Sequence, residues 1–176
     1  MRMSHKCKLI FLSVCCLSMV INAGCVQEKT LEKLGLITTT GYDLKGKNEI
    51  VGTAVVQKFD PMTKAATKVI SVSAKTSKGL RQRQNLQSNQ RLVSGQLRSV
   101  VYSRDLAKKG IIQLVDTLNR DAQIGNMVYL TVADQSASEI LKIEDSKENL
   151  NLGTYMYNLI KQNVEGEQII SPTLHE

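Results

Sequence analysis

The chain has 176 residues, of which 42% are apolar, and its 23 lysines and arginines against 16 aspartates and glutamates give a formal net charge of +7. This composition is typical of one globular domain with an extension, and it excludes a disordered chain, which needs lower hydrophobicity and a higher charge density. Eleven glycines and two prolines exclude a collagen-like repeat.

The cysteines and histidines lie near the ends of the chain. All four cysteines occur within the first 25 residues, and the two histidines are His5 and His175. The body of the protein therefore cannot contain a disulfide framework, and most metal sites and covalent-catalysis sites are excluded because they need these side chains. We predict neither a metal site nor a cofactor.

The first 24 residues read as an export signal. Arg2, Lys6 and Lys8 precede an apolar run of 13 residues at positions 9–21. A helix of that length spans roughly 20 Å, which is short of the ~30 Å hydrocarbon core of a bilayer, so a permanent membrane span is disfavoured. A buried core helix is disfavoured because the run lies at the very terminus behind a basic cluster. Removing this segment leaves a mature chain of 152 residues with a net charge of +4.

Residues 22–25, Asn-Ala-Gly-Cys, resemble the bacterial lipobox, in which the cysteine is acylated and becomes the mature N-terminus. Asn22 departs from the aliphatic residue that usually stands there. We predict that Cys25 is the lipid attachment site and that residues 25–35 form a lipidated tether, because an exported free thiol is a liability and two acyl chains suffice for stable anchoring. The alternatives are secretion with a free Cys25 and a retained signal anchor.

The first half of the mature chain predicts a β-meander. Segments 36–44 and 49–59 are rich in Ile, Val and Thr and flank the turn sequence 45–48. A second turn is expected at 60–63. Residues 67–75 then alternate in a way that predicts a third strand with one buried face.

The second half alternates helices and strands. A helix is predicted at 77–90, strands at 96–102 and 126–133, and a helix at 103–119 with Ser103 as its N-cap. Ser136 and Glu139 form a capping box before another helix. A last amphipathic helix carries its apolar residues at helical spacing: Leu152, Tyr155, Met156, Leu159 and Ile160.

These elements predict an α+β fold of mixed α/β type. An antiparallel meander leads into β-α-β units, because strand 96–102, helix 103–119 and strand 126–133 suit a crossover between parallel strands. We expect one mixed sheet of about five strands flanked by helices.

Candidate catalytic and binding motifs are few. Residues 41–48 approach a phosphate-binding loop, but Asn48 lacks the hydroxyl that binds Mg²⁺ and a strand follows, so a hairpin turn is favoured. Carboxylates in two groups have the spacing of ordinary surface charge: Asp116 and Asp121, and Glu144, Asp145 and Glu148. Without a catalytic constellation, the sequence predicts that the protein is not an enzyme.

The run 77–91 carries four basic residues, Lys78, Arg81, Arg83 and Arg91, and positions 77–90 contain no acid. A solvated helix face is the simplest interpretation, and contact with anionic lipid headgroups is a hypothesis. Nucleic acid is not expected as a partner, because the stretch lacks aromatic platforms and the signal exports the protein. Tyr155 and Tyr157 point to different sides of the last helix, one into the core and one towards a partner.

Short motifs in a fixed order behind Cys25 carry a resemblance to a known family. They are LEKLGLI (31–37), GYD (41–43), GQLR (95–98), VVYS (100–103), LAKKGI (106–111), LNRD (118–121), VADQSA (132–137) and EIL (139–141). The chain resembles the N-terminal domain of the Ger(x)C spore-germination lipoproteins, which are the C subunits of nutrient germinant receptors. Residues 36–176 would form this domain. Family members are typically about twice as long, so we expect that the C-terminal domains are absent from this chain and that a truncated or split reading frame is the simplest account.

The resemblance implies a non-enzymatic subunit that is lipid-anchored on the outer face of the spore inner membrane. It would assemble with the integral-membrane A and B subunits into a complex that responds to small nutrients. The alternative is a solute-binding lipoprotein that captures a nutrient directly. Two Phe, five Tyr and no Trp leave few aromatic side chains to line such a pocket.

Overall fold

The structure is a computed structural model in which Lys6 and residues 33–58, 66–142 and 152–175 are described. Several predictions lie outside the described residues. They are the export signal apart from Lys6, the lipid attachment at Cys25 with the tether up to residue 32, the turn at 60–63 and the surface carboxylates Glu144, Asp145 and Glu148.

The described residues form one mixed sheet of six strands. The strands are β1 (Leu34–Lys45), β2 (Glu49–Lys58), β3 (Ala66–Ala74), β4 (Arg91–Val93), β5 (Ser99–Ser103) and β6 (Tyr129–Ala133). Their order is β3-β2-β1-β5-β6, and the short β4 pairs with the first residues of β1. The first three strands are antiparallel, whereas β5 is parallel to both β1 and β6. The predicted meander, the parallel crossover and the α+β class are confirmed.

Five helices flank this sheet in the described part of the chain. They are α1 (Ser77–Leu86), α2 (Arg104–Lys109), α3 (Ile112–Asn119), α4 (Ala137–Lys142) and α5 (Leu152–Glu165).

The β1–β2 hairpin confirms the turn interpretation of residues 41–48. Gly46 has φ +60°, which glycine adopts without the steric cost that a Cβ brings, and residues 46–48 form the turn. Gly41 lies within β1 and pairs with Thr53 of β2. Since a strand and not a helix follows the turn, this segment has no phosphate-binding geometry.

The predicted helix at 103–119 is two helices. Ser103 caps the first, its hydroxyl accepting from the Leu106 amide at 3.4 Å, but that helix ends at Lys109 because Gly110 adopts φ +108°. The apolar spacing continues across the break, so Leu114 and Leu118 remain buried. The predicted helix at 77–90 ends at Leu86, and the three residues of β4, too short for a periodic signal, were not predicted.

One face of the sheet carries most of the apolar core and is called here the large-core face. It lies beneath α1, α2 and α3, which contribute Leu80, Leu106, Leu114 and Leu118. Its strand residues include Ile37, Val56, Ile70, Val72, Val100 and Tyr102. Burial of this continuous apolar surface is the main driving force for folding of the domain.

The opposite face, called here the small-core face, lies beneath α4 and α5 and is more polar. Its apolar cluster consists of five buried residues: Val55, Val101, Ala133, Ala137 and Leu141. Two hydroxyl pairs complete it, Thr39 with Ser99 and Thr53 with Ser71, each with an O···O distance of 2.9 Å.

Candidate functional site

A cavity of about 660 Å³ opens between α1, the sheet and the segment that follows α3. Its apolar wall includes Ile37, Leu80 and Leu118, and its polar groups include Tyr42 and Gln84. It is large enough to hold a small molecule and combines apolar walls with a few polar groups, which is typical of ligand sites.

The position of α1 shapes this cavity. The Thr76 hydroxyl caps the helix by accepting from the Gly79 amide at 3.1 Å. Leu80 and Gln84, four residues apart, face the sheet, where the buried Gln84 amide donates to the Gly52 carbonyl at 3.1 Å. A Cβ at position 52 would lie 2.8 Å from Leu80 Cδ1, so glycine permits this close approach.

An ion pair closes one side of the cavity. Arg81 donates from Nη1 to the Asp121 carboxylate and from Nη2 to Ser94 Oγ at 2.7 Å, and the Gln123 amide donates to Asp121 Oδ1 at 3.0 Å. Burial would raise the pKa of Asp121, but the hydrogen bond and charge of Arg81 and the Gln123 amide outweigh it, so the pKa is lowered. Asp121 is therefore an ionised structural partner and a poor general base.

Two stacked tyrosines lie beside the cavity. Tyr42 and Tyr102 are register partners in β1 and β5, and their ring centroids are 5.7 Å apart. Burial raises the pKa of both phenols. The Tyr102 hydroxyl is buried, and no hydrogen-bond partner for it occurs among the described residues. Both phenols stay protonated at physiological pH, which disfavours a role as nucleophile or base.

The predicted basic run does not form one solvated face. Arg81 is committed to Asp121, and Arg83 donates to the Ser73 carbonyl. Lys78 and Arg91 are exposed, but they lie near opposite ends of α1. Lys78, Arg81, Arg83 and Arg91 therefore do not act together as a single patch.

Asp43 has a structural role that the sequence analysis did not identify. It is buried in β1, and its carboxylate accepts from the amides of Ala137 at 2.6 Å and Ser138 at 2.8 Å. Asp43 thus caps the N-terminus of α4 from 94 residues away. The Ser136 hydroxyl lies 2.8 Å from the Ser138 hydroxyl, so the helix predicted from Ser136 and Glu139 forms with a cap contributed by the sheet.

The remaining candidate residues are distributed over the surface. Asp116 pairs with Arg120 at 3.0 Å on α3, as expected for surface charge. Tyr157 packs on Tyr129, with the ring centroids 5.5 Å apart, whereas Tyr155 is 47% exposed. The two tyrosines of α5 point to different sides, as predicted.

In the part of the chain that the structure describes, no group of three or more His, Cys, Asp and Glu side chains could hold a metal ion. A search of the same residues finds no helix with the length and apolarity needed to cross a bilayer.

Comparisons with known proteins identify a family likeness. Residues 27–176 match the family model described as the spore germination protein N-terminal domain. A curated relative is the spore germination protein GerQC of Bacillus cereus, which is 28% identical over 141 residues, covering 80% of this chain and 39% of that protein. This chain thus spans about two-fifths of the length of the curated relative. No solved structure matches.

Proposed function

Because this chain belongs to the Ger(x)C family of spore germination proteins, we propose that it is the N-terminal domain of a lipid-anchored, non-catalytic C subunit of a nutrient germinant receptor. The observation that carries the proposal is the family match, which begins at Gln27, two residues after the cysteine of the lipobox-like sequence. The matched region therefore begins close to the proposed lipid attachment site.

A binding or scaffold role fits the chemistry of the described residues. The carboxylate beside the cavity is held in an ion pair, and the two buried phenols have raised pKa values. Neither arrangement supplies a poised acid, base or nucleophile. These features support a subunit that acts through contacts with other molecules.

The proposed location is the outer face of the spore inner membrane, where the domain would contact integral-membrane A and B subunits. Tyr155 and Leu159 lie one helical turn apart on α5 and are 47% and 43% exposed. We assign this apolar pair to the contact with those subunits, because aromatic residues are enriched at protein interfaces.

Mass spectrometry of the mature N-terminus tests the anchor. The expected product begins at Cys25 and carries a diacylglyceryl group, and a Cys25→Ser variant should remain unprocessed. An acyl-free mature chain would contradict the anchoring proposal.

Photo-crosslinking in spore membranes tests the subunit contact. A photoreactive phenylalanine analogue placed at Tyr155 should crosslink to an integral-membrane subunit. The same group at Lys108, which is exposed on α2, is the control and should give no such product. Equal products from both positions, or none from either, would contradict the assignment of α5.

Direct capture of a nutrient is a second candidate, favoured by the cavity of about 660 Å³ beside Tyr42. Calorimetry of the mature domain against amino acids and sugars distinguishes the two functions. Micromolar binding that is lost in a Gln84→Leu variant would favour capture by this domain, whereas no binding by the folded domain would leave nutrient recognition to the other subunits.

A further inference from the structure

The register of the sheet brings four separate segments together at the end where β1 begins, called here the tether end: residues 33–36, 57–58, 66–68 and 86–93. Leu36 pairs with Gln57, Gln57 pairs with Thr67, and Leu34 pairs with Arg91. The end of α1 joins them, because Asn85 Oδ1 accepts from the Leu92 amide at 3.0 Å.

The tether end is electropositive. Lys33, Lys68 and Arg91 are exposed there, and these four segments contain no aspartate or glutamate. Leu86 is the last residue of α1 and is 80% exposed. Exposed basic side chains around an apolar one form the pattern that suits an anionic bilayer surface.

The carboxylates of Asp43, Glu49 and Asp121 do not belong to the tether end. Asp43 and Glu49 are near the β1–β2 turn at the opposite end, called here the hairpin end. Glu49 also lines a groove with Leu86, but it pairs with Lys45, and Asp121 is neutralised by Arg81. The charge of the tether end is therefore not cancelled by an ion pair with any carboxylate of the described residues.

Chain length determines which end would face the bilayer. Eight residues separate Cys25 from Lys33, and a fully extended chain of that length spans at most about 28 Å. The 12 residues of β1 place the hairpin end roughly 40 Å farther along the sheet. Electrostatic attraction decays over about 8 Å in physiological salt, so we expect headgroups to attract the end of the sheet that is nearest to Cys25.

We propose that the tether end is a membrane-binding surface, in which Lys33, Lys68 and Arg91 bind anionic phospholipid headgroups and Leu86 inserts among them. The inference rests on the proposed anchoring at Cys25. It replaces the basic run 77–91 as the lipid-contacting set, because Arg81 and Arg83 are committed to Asp121 and Ser73. With the lipid anchor, this contact would orient the domain with its sheet upright on the membrane.

Vesicle sedimentation of an acyl-free mature chain, residues 25–176 with Cys25→Ala, measures the surface without the anchor. The strands β1–β6 and the helices α1–α5 lie within this segment, and circular dichroism checks that each variant is folded. Binding to phosphatidylcholine vesicles that contain phosphatidylglycerol should exceed binding to pure phosphatidylcholine by about a hundredfold, and should weaken as salt is raised.

Two triple variants with the same charge change provide the matched comparison. Lys33→Glu, Lys68→Glu and Arg91→Glu together should abolish the preference for anionic vesicles. Lys45→Glu, Lys47→Glu and Lys108→Glu, at the hairpin end, should preserve most of it. If the two variants lose the preference for anionic vesicles equally, net charge alone explains the attraction and the proposal is overturned.

A Leu86→Ser variant distinguishes binding to a bilayer from binding to an acidic protein surface. The loss of an inserted apolar side chain should weaken vesicle binding roughly tenfold, with the charge unchanged. A folded domain that shows no preference for anionic vesicles overturns the membrane-binding surface even if mass spectrometry finds Cys25 acylated. If mass spectrometry finds the native chain without an acyl group, the anchor is contradicted. Preferential binding of that chain to anionic vesicles would still support the membrane-binding surface.

Discussion

The two faces of the sheet solve the same packing problem in different ways. The large-core face joins its helices through aliphatic side chains such as Leu80 and Leu118. The small-core face uses few apolar residues and relies on hydroxyl pairs and a carboxylate cap, while glycines permit close contacts on both faces, at Gly52 and at Gly153. The comparison teaches that the large-core face is stabilised mainly by buried apolar area, and the small-core face mainly by specific hydrogen bonds and close contacts.

The difference has a consequence for tolerance to substitution. Apolar packing accepts changes of shape if volume is kept, whereas a hydrogen-bonded or glycine-dependent contact is intolerant of small changes. Four substitutions test this contrast, from the largest expected effect to the smallest.

Leu80→Ala should have the largest effect, because it removes a buried side chain from the large-core face and leaves a cavity. The free energy of unfolding should fall by about 3 kcal/mol, measured by urea denaturation. Leu86→Ala, on the same helix but exposed, should change it by less than about 0.5 kcal/mol. Similar losses in the two variants would contradict the packing of α1.

Gly153→Ala tests the close contact of α5 with β1. A Cβ at this position would lie 2.3 Å from the Thr38 side chain, so the helix must move. We expect a loss of about 2 kcal/mol in the free energy of unfolding and a weaker tyrosine near-ultraviolet circular dichroism signal from the Tyr129–Tyr157 contact. Gly125→Ala, where a Cβ meets open space, is the control and should be nearly neutral.

Asp43→Ala removes the cap that the sheet contributes to α4. Two amides lose their acceptor, so the free energy of unfolding should fall by about 1 to 2 kcal/mol, and hydrogen exchange at Ala137 and Ser138 should accelerate. Asp105→Ala, in the first turn of α2, should cost less than half as much. Unchanged exchange at Ala137 would contradict the capping role.

Asp121→Asn tests the ion pair on the large-core side and should have the smallest effect. The pKa of Asp121 is lowered in the folded protein, so the ionised carboxylate stabilises the fold above its ordinary pKa of 3.8. This stabilisation is lost as the pH falls through the lower, folded pKa.

Urea denaturation between pH 7 and pH 2 measures the difference in the free energy of unfolding between the Asp121→Asn variant and the native chain. The variant should be less stable than the native chain by about 1 kcal/mol or less at neutral pH, and the two should converge in acid. Asp116→Asn, in an exposed pair, is the control and should show a smaller difference. A difference that grows in acid would contradict the lowered pKa.

The sequence predicted the elements that have a strong local signal. Alternation in residues 67–75 predicted β3 and its buried Ile70 and Val72, and the turn chemistry of 45–48 predicted the first hairpin. Ser103 was recognised as a cap because the Leu106 amide, which donates to its hydroxyl, lies only three residues away. Such signals are readable since the interacting groups are neighbours along the chain.

The features that were missed depend on distant partners. Strand β4 has three residues and forms only because the start of β1 lies beside it. The break at Gly110 interrupts an apolar spacing that continues across it, so periodicity could not reveal it. The role of Arg81 was misjudged because Asp121 lies 40 residues away and reaches it only in the folded chain.

Local composition and periodicity by themselves determined the export signal prediction, the α+β class and the meander, and short motifs in a fixed order carried the family resemblance. Only the tertiary structure decided that Asp43 caps α4, that Arg81 is committed to an ion pair, and that Lys33, Lys68 and Arg91 share one end of the sheet. The physical reason is that hydrogen bonds and charges act through space over a few ångströms, and only strand pairing and helix packing in the folded chain bring such residues together from positions tens of residues apart.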